Sequence, residues 1–121
     1  MHQDLTLLSI AELAPLIRNR SVSPIDVTEA YINRIEKSDP ILNAFITRLD
    51  NHALARSKIA ESEIASGLYK GALHGIPIGL KDLFHTDGIR TTSGSILESE
   101  FIPKEDSTAV AKLNQAGAFC I

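Results

Sequence analysis

A chain of 121 residues has the length of a single domain and can bury a modest hydrophobic core. Its 44% hydrophobic and 22% charged residues are ordinary for a soluble globular protein. A net charge of -3, with no face rich in basic and aromatic residues, gives no electrostatic basis for a nucleic-acid surface.

Two capping patterns predict the first two helices. Ser9 and Glu12 form the Ser-x-x-Glu pattern of a capping box, so a helix is expected to begin at Ser9. Pro15 removes a backbone donor from this helix, which predicts a kink or a late start. Ser23 precedes a proline, as at a helix start, and the second helix is expected to stop at residues 39–40.

A strand and a third helix are predicted next. Residues 41–47 are mostly apolar and predict a strand, with Asn43 near a bend. Asp50 is a candidate cap for a helix that runs to about Ser66, followed by Gly67 as the C-terminal glycine. The apolar positions of this helix are few, which predicts that it lies on the surface of something larger: Ala53, Ala60 and Ile64.

Residues 75–84 are predicted to form a buried strand that delivers one lysine. The run is apolar, too short for a core helix, and loosened by glycines where a substrate or another backbone can approach. Lys81 lies at its far end. A lysine held neutral by burial is a base, although most lysines at strand ends are solvated.

The rest of the chain predicts a β-α-β unit. Residues 85–99 are rich in glycine, serine and threonine and are expected to form a loop with one or two short strands. Residues 106–108 are candidates to cap a helix that Gly117 ends, and residues 118–121 predict the next strand. This order predicts an α/β fold with a parallel or mixed sheet.

The predicted elements divide the chain into two parts. Residues 1–70 are expected to form a mainly helical layer and residues 71–121 the start of a central sheet. Because a domain rarely stops on an apolar strand such as 118–121, we expect the N-terminal piece of a longer protein. In isolation, residues 76–80 and 118–121 would expose apolar faces, which predicts aggregation or homodimerisation through these strands.

Cysteine and histidine usage argues against redox and metal chemistry. The single cysteine, Cys120, lies in an apolar run without a nearby basic residue, so a buried inert thiol and a reducing compartment are expected. The N-terminus has no basic leader and no stretch approaches membrane-spanning length, so we expect a cytoplasmic protein without a membrane partner. The four histidines show no metal-binding spacing: His2, His52, His74 and His85.

Four segments of the second half resemble the amidase signature family. They occur in the family's order, at residues 73–82, 86–95, 103–110 and 113–118. The similarity extends more weakly over the N-terminal part, from about residue 8. The resemblance implies an α/β/α fold with a mostly parallel sheet flanked by helices. It also implies hydrolysis of carboxamides through a Ser–cis-Ser–Lys triad, with no metal or organic cofactor, and the family's lysine corresponds to Lys81.

The chemistry of such a triad explains the need for a lysine. A serine hydroxyl is a weak nucleophile, and a lysine whose pKa is lowered by burial can take its proton through a bridging serine. The resemblance implies that both serines and the oxyanion-binding turn lie beyond Ile121. Ser93 and Ser95 do not form a Gly-x-Ser-x-Gly pattern, so a structural loop is expected there. Asp82 is expected to support the site or cap a helix rather than pair with Lys81.

Three functions remain open from the sequence. The first is an amidase that acts on a small-molecule amide in the full-length protein, with this chain inactive alone. The second is the A subunit of a glutamyl-tRNA amidotransferase, which shares the fold and triad; residues 81–84 mildly favour the stand-alone amidase. The third is a non-catalytic truncated product or interaction module.

Overall fold

The structure is a computed structural model that describes residues 4–121. It contains four α-helices, a parallel pair of short strands and two 3-10 turns, at Leu5–Leu7 and Ile96–Glu98. Within residues 4–121, none of the helices has the length and apolarity needed to cross a bilayer. The helices and strands are α1 Ile10–Arg18, α2 Pro24–Leu42, α3 Asp50–Ala65, β1 Pro77–Ile78, α4 Thr108–Gln115 and β2 Phe119–Cys120.

Helix α1 begins where its capping box predicts. The Ser9 N–H donates to Glu12 Oε2 at 2.8 Å, and the Glu12 N–H donates to Ser9 Oγ at 3.3 Å. The predicted start at Ser9 is therefore confirmed, and the late start is wrong, because the helix runs through Pro15. Proline loses only one backbone bond there, while Leu13 and Ile17 are buried on the inner face.

Helix α2 starts as predicted and ends later than predicted. Ser23 Oγ accepts the Ile25 N–H at 2.9 Å at its start. The stop at residues 39–40 and the strand at residues 41–47 are both wrong, because α2 continues to Leu42. Proline near a helix end loses one donor only, and Asp39 Oδ1 accepts the N–H groups of the two residues after the cap, Ala44 and Phe45. The bend predicted at Asn43 is its left-handed C-cap, with φ of 50°.

Helix α3 packs against α2 through small side chains. Its predicted apolar positions are buried, together with Ser57. Asp50 is the first residue of the helix rather than its cap, and its carboxylate pairs with Arg48 at 2.5 Å. Gly67 follows the C-cap with φ of 93°, as expected for a C-terminal glycine.

The two strands form a parallel pair joined through α4, so the predicted β-α-β unit is confirmed. Pro77 lies beside Phe119 and Ile78 beside Cys120. The Phe119 N–H donates to Ile76 O at 3.3 Å and the Ile121 N–H donates to Ile78 O at 3.1 Å. Since Pro77 has no N–H, it fits the unpaired side of the ladder.

Three expectations about the second half are wrong. The strand covers only two of residues 75–84, and in residues 85–99 the structure has one isolated antiparallel bridge, Thr86 to Ile89, in place of short strands. Ile76 and residues 118–121 are buried rather than exposed, because α2, α3 and the first helix pack over them. Homodimerisation stays a prediction, but these buried side chains cannot form its interface. The most exposed large apolar side chains of the described residues are Leu7, Ile41, Ile96 and Leu97.

A buried histidine ties the chain before β1 to helix α3. His74 is 1% exposed, and its Nδ1 accepts the backbone N–H of Lys70 at 3.1 Å. The ring proton is therefore on Nε2, which donates to Glu63 Oε2 at 2.8 Å. The same carboxylate accepts two hydrogen bonds from Lys70 Nζ, at 2.9 and 2.7 Å. We call these three residues the Glu63 cluster.

The Glu63 cluster predicts a pH-dependent part of the stability. The hydrogen bond from Lys70 lowers the pKa of Glu63 more than partial burial raises it, and the bond from His74 lowers it further. Because the folded-state pKa is below the ordinary value of 4.5, the stabilisation is complete above that pH and is lost as the pH falls through the folded-state pKa. We expect Glu63→Gln to lower the free energy of unfolding by about 1–2 kcal/mol at pH 7 and by almost nothing in acid.

Urea unfolding across this pH range measures the effect. Glu29→Gln is the matched control, because Glu29 is exposed on α2 and its carboxylate accepts no hydrogen bond from the described residues. Equal losses for both variants at pH 7 would contradict the prediction.

Candidate active-site cleft

A cleft of about 540 Å³ opens beside the ends of the two strands. Parallel strands bring their carboxyl ends to the same edge of a sheet, and the segments that follow such ends commonly bind ligands. Here residues 79–84 follow β1, and Ile121 follows β2. Residues 44–47 and Leu49, after α2, form another wall, and residues 89–91 and 93–94 also line the cleft.

Lys81 lies in this cleft, in a turn rather than in the strand. Its carbonyl oxygen accepts the N–H groups of Leu83 at 2.7 Å and Phe84 at 3.1 Å, so the chain reverses directly after β1. The predicted position at the end of a buried strand is therefore wrong by three residues. The side chain is exposed and makes no hydrogen bond or ion pair with residues 4–121.

Asp82 makes no ion pair with Lys81 and instead holds a neighbouring loop. Its Oδ1 accepts the Thr92 N–H at 2.9 Å, and its Oδ2 accepts the Thr92 hydroxyl. Its carbonyl oxygen accepts the Ser93 N–H at 2.7 Å. Burial raises the pKa of Asp82, but the hydrogen bonds from Thr92 and the Gly94 backbone lower it more, and the net direction is down. The helix-capping alternative is wrong, and support of the loop is what the contacts show.

The loop at residues 92–95 uses its amide groups internally. Ser93 and Gly94 have φ of 54° and 67°, which turns successive N–H groups towards one side. Asp82 accepts the N–H groups of Thr92 and Ser93. The Gly94 N–H donates to Thr92 Oγ1 at 3.2 Å, and the Ser95 N–H donates to Thr92 O at 2.8 Å. An oxyanion needs free donors, and these donors are engaged.

Within residues 4–121, neither serine of this loop is hydrogen-bonded to a basic side chain. Ser93 is exposed at the cleft, and its hydroxyl makes no hydrogen bond with the described part of the chain. Ser95 accepts the Leu97 N–H at 3.2 Å and so caps the 3-10 turn. The unbonded hydroxyl of Ser93 and the capping role of Ser95 agree with the expected structural loop.

Two further side chains of the cleft have structural contacts. Cys120 is buried, and burial raises the pKa of its thiol, which is the opposite of an activated nucleophile. Arg90 donates from Nε to Ser99 O and from Nη1 to Thr47 Oγ1 at 3.4 Å, so it joins two walls of the cleft. No sequence pattern pointed to Arg90, because its partners are 9 and 43 positions away.

No group of three or more histidine, cysteine, aspartate or glutamate side chains in residues 4–121 is arranged to hold a metal ion. The charged side chains that line the cleft are Lys81, Asp82 and Arg90. The Lys81 amine has no partner among residues 4–121, whereas the Asp82 carboxylate and the Arg90 guanidinium are hydrogen-bonded.

Comparison with known proteins points to one family. The family model named Amidase matches residues 26–121. A Mycobacterium tuberculosis protein named putative amidase AmiD is 42% identical over 94% of this chain and 24% of its own length. The A subunit of glutamyl-tRNA(Gln) amidotransferase from Geobacter metallireducens is 44% identical over 94% of this chain and 23% of its own length. The chain thus spans about a quarter of the length of these relatives.

Solved structures give the same result. The peptide amidase of Stenotrophomonas maltophilia superposes with a TM-score of 0.88 at 31% identity, over 95% of this chain and 24% of that one. Fatty acid amide hydrolase superposes with a TM-score of 0.90 at 26% identity, over 96% of this chain and 21% of that one. The mixed helix and strand arrangement predicted for residues 1–121 is the one found in these neighbours.

Proposed function

This chain belongs to the amidase family, and on that premise we propose that it supplies the base, Lys81, of an enzyme that hydrolyses carboxamides. The observation behind the proposal is the place of Lys81. It lies in the segment 73–82 that resembles the lysine-bearing segment of the family, and its amine, which makes no bond with residues 4–121, is in the cleft at the carboxyl edge of the parallel strands.

The proposed reaction needs two serines from outside residues 1–121. The nucleophilic serine attacks the amide carbonyl carbon, and its proton passes through the bridging serine to Lys81 Nζ. The lysine then returns the proton to the departing amine, and the acyl-serine is hydrolysed by water activated by the same base. No metal ion or organic cofactor enters these steps.

The exposure of Lys81 supports an active site that is divided between residues 4–121 and the rest of the amidase domain. A lysine acts as a base only in its neutral form, which burial favours and water disfavours. Residues 4–121 leave the Lys81 side chain exposed and the cleft open. We propose that the rest of the amidase domain covers the cleft, removes water from Lys81 and brings the serines to it.

Activity at two chain lengths tests the proposal. The complete product of the gene is expected to release ammonia from simple carboxamides, whereas the purified 121-residue chain is expected to release none. Both proteins are assayed with the same substrates at equal concentration. Ammonia release by the 121-residue chain, lost on Lys81→Ala, would contradict the proposed division of the site.

The mass of the native protein separates the catalytic from the non-catalytic alternative. An intact mass several-fold above 13.1 kDa in the source cells fits the enzyme. A mass near 13.1 kDa favours an interaction module or a truncated product. We place either form in the cytoplasm, since the one cysteine is a buried free thiol.

The second candidate is the A subunit of a glutamyl-tRNA amidotransferase. It is favoured by relatives of that name at 41–44% identity, a range that includes the 42% of AmiD. The two functions differ in the fate of the ammonia that is released from the amide. A stand-alone amidase transfers the acyl group to water without partner subunits, whereas the transferase delivers ammonia from glutamine to glutamyl-tRNA with them. Assays of the complete gene product alone and with partner subunits decide between the two.

A further inference from the structure

The position of Lys81 is fixed from two sides by backbone contacts. On the N-terminal side, β1 is bonded to the β2 segment, and the nearest bond is that of the Ile121 N–H with Ile78 O. On the C-terminal side, the chain turns at once, and the next residue, Asp82, is bonded to the loop at residues 92–94. The side chain of Lys81 adds no hydrogen bond or ion pair with the described residues, so the flanking anchors determine where it starts.

We propose that Asp82 and Thr92 form a clamp that positions Lys81 for catalysis, an inference that rests on the proposed function of Lys81. The clamp consists of the two bonds from Thr92 to the Asp82 carboxylate and the bond from the Ser93 N–H to Asp82 O. It joins the turn after β1 to a loop ten positions later in the chain. Both ends of the turn that holds Lys81 are thereby attached to ordered backbone.

The geometry separates Thr92 from the cleft, whereas Asp82 is one of the residues that line it. Thr92 is 4% exposed and is absent from the lining of the cleft, although its neighbours Thr91 and Ser93 line it. A change at the Thr92 hydroxyl therefore acts on Lys81 through Asp82 and not through a bound amide. Proton transfer depends steeply on the distance between Lys81 Nζ and the bridging serine, and a shift of about 1 Å costs on the order of 100-fold in rate.

The clamp uses the hydroxyl of Thr92 and not its methyl group. Thr92→Ser retains the donor to Asp82 Oδ2 and the acceptor for the Gly94 N–H, whereas Thr92→Val retains the shape and loses both. The two variants are thus a matched pair for one hydroxyl. Asp82→Ala removes the whole carboxylate and tests the other half of the clamp.

The experiment measures kcat and KM of the complete gene product with a simple carboxamide. We expect Thr92→Val to lower kcat about 10-fold with KM unchanged, Asp82→Ala to lower kcat about 100-fold, and Thr92→Ser to retain wild-type kcat. The double variant that combines Thr92→Val with Asp82→Ala should be no slower than Asp82→Ala. The single variant Asp82→Ala has already lost both bonds between Thr92 and the carboxylate. Asp87→Ala is the control, since Asp87 is exposed and its carboxylate accepts no bond from residues 4–121.

The outcomes separate this inference from the proposed function. If Lys81→Ala is inactive while Thr92→Val and Asp82→Ala keep wild-type kcat, the clamp is refuted and the function stands. Equal losses in Thr92→Val and Thr92→Ser also refute it, because the hydroxyl would not matter. If Lys81→Ala remains active, both ideas fall together. If Asp82→Ala does not fold, the Thr92 pair decides alone.

Discussion

Replacing Lys81 by alanine in the complete gene product is expected to lower kcat for carboxamide hydrolysis by about 1000-fold. A positioned general base contributes on the order of 100- to 10000-fold, and in the proposed triad no other group takes the serine proton. Binding of the amide depends on surfaces that the substitution leaves in place, so KM should change little. Initial rates of ammonia release measure both constants.

Arginine at the same position distinguishes a base from a positive charge. Lys81→Arg keeps the charge in the cleft, but a guanidinium does not give up its proton in a protein. We therefore expect Lys81→Arg to be as inactive as Lys81→Ala. Lys104→Ala is the control, because Lys104 is exposed, lies outside the cleft lining and makes no ion pair with residues 4–121. Substantial activity in Lys81→Arg would assign Lys81 an electrostatic role instead.

Local signals in the sequence predicted the helix starts and the parallel strand pair well. The capping boxes at Ser9 and Ser23 depend on groups within three residues of each other, so a sequence pattern contains the whole interaction. The end of α2 was not predictable in the same way. It depends on Asp39 accepting backbone bonds five and six positions later, which outweighs the proline beside it.

The geometry of the candidate site was not predictable from the sequence, and the catalytic role of Lys81 stays a proposal. The resemblance of residues 73–82 to a known family selected Lys81. The turn that holds it depends on contacts between Asp82 and Thr92, ten positions apart, and the walls of the cleft depend on Arg90 bonding to Thr47, 43 positions away. Periodicity within a segment contains no information about such pairs, so the apolar pattern after Ile78 predicts a strand where the chain forms a turn.

Gly117→Ala is expected to cause a large loss of stability, about 3 kcal/mol. The residue has φ of 88°, where a Cβ adds about 1–2 kcal/mol of backbone strain. Its Cβ would also lie 2.6 Å from His74 Cδ2 and 2.9 Å from His74 Cα. The ring is 1% exposed and its backbone cannot move freely, because the next residue, Gly75, donates its N–H to Gly117 O at 3.0 Å. Overpacking of this kind costs about 1–3 kcal/mol.

Gly67→Ala separates strain from collision. Gly67 has φ of 93°, close to that of Gly117, but no heavy atom lies within 4 Å of the position that a Cβ would occupy there. It should therefore lose only about 1 kcal/mol, from backbone strain alone. Displacement of His74 should also break its bond to Glu63, so Gly117→Ala is expected to weaken the acid dependence of stability while Gly67→Ala retains it. Urea unfolding at pH 7 and in acid measures both effects. Equal losses in the two glycine variants would contradict the prediction. They would mean that His74 moves aside at little cost and that the close approach of Gly117 to His74 does not limit the packing.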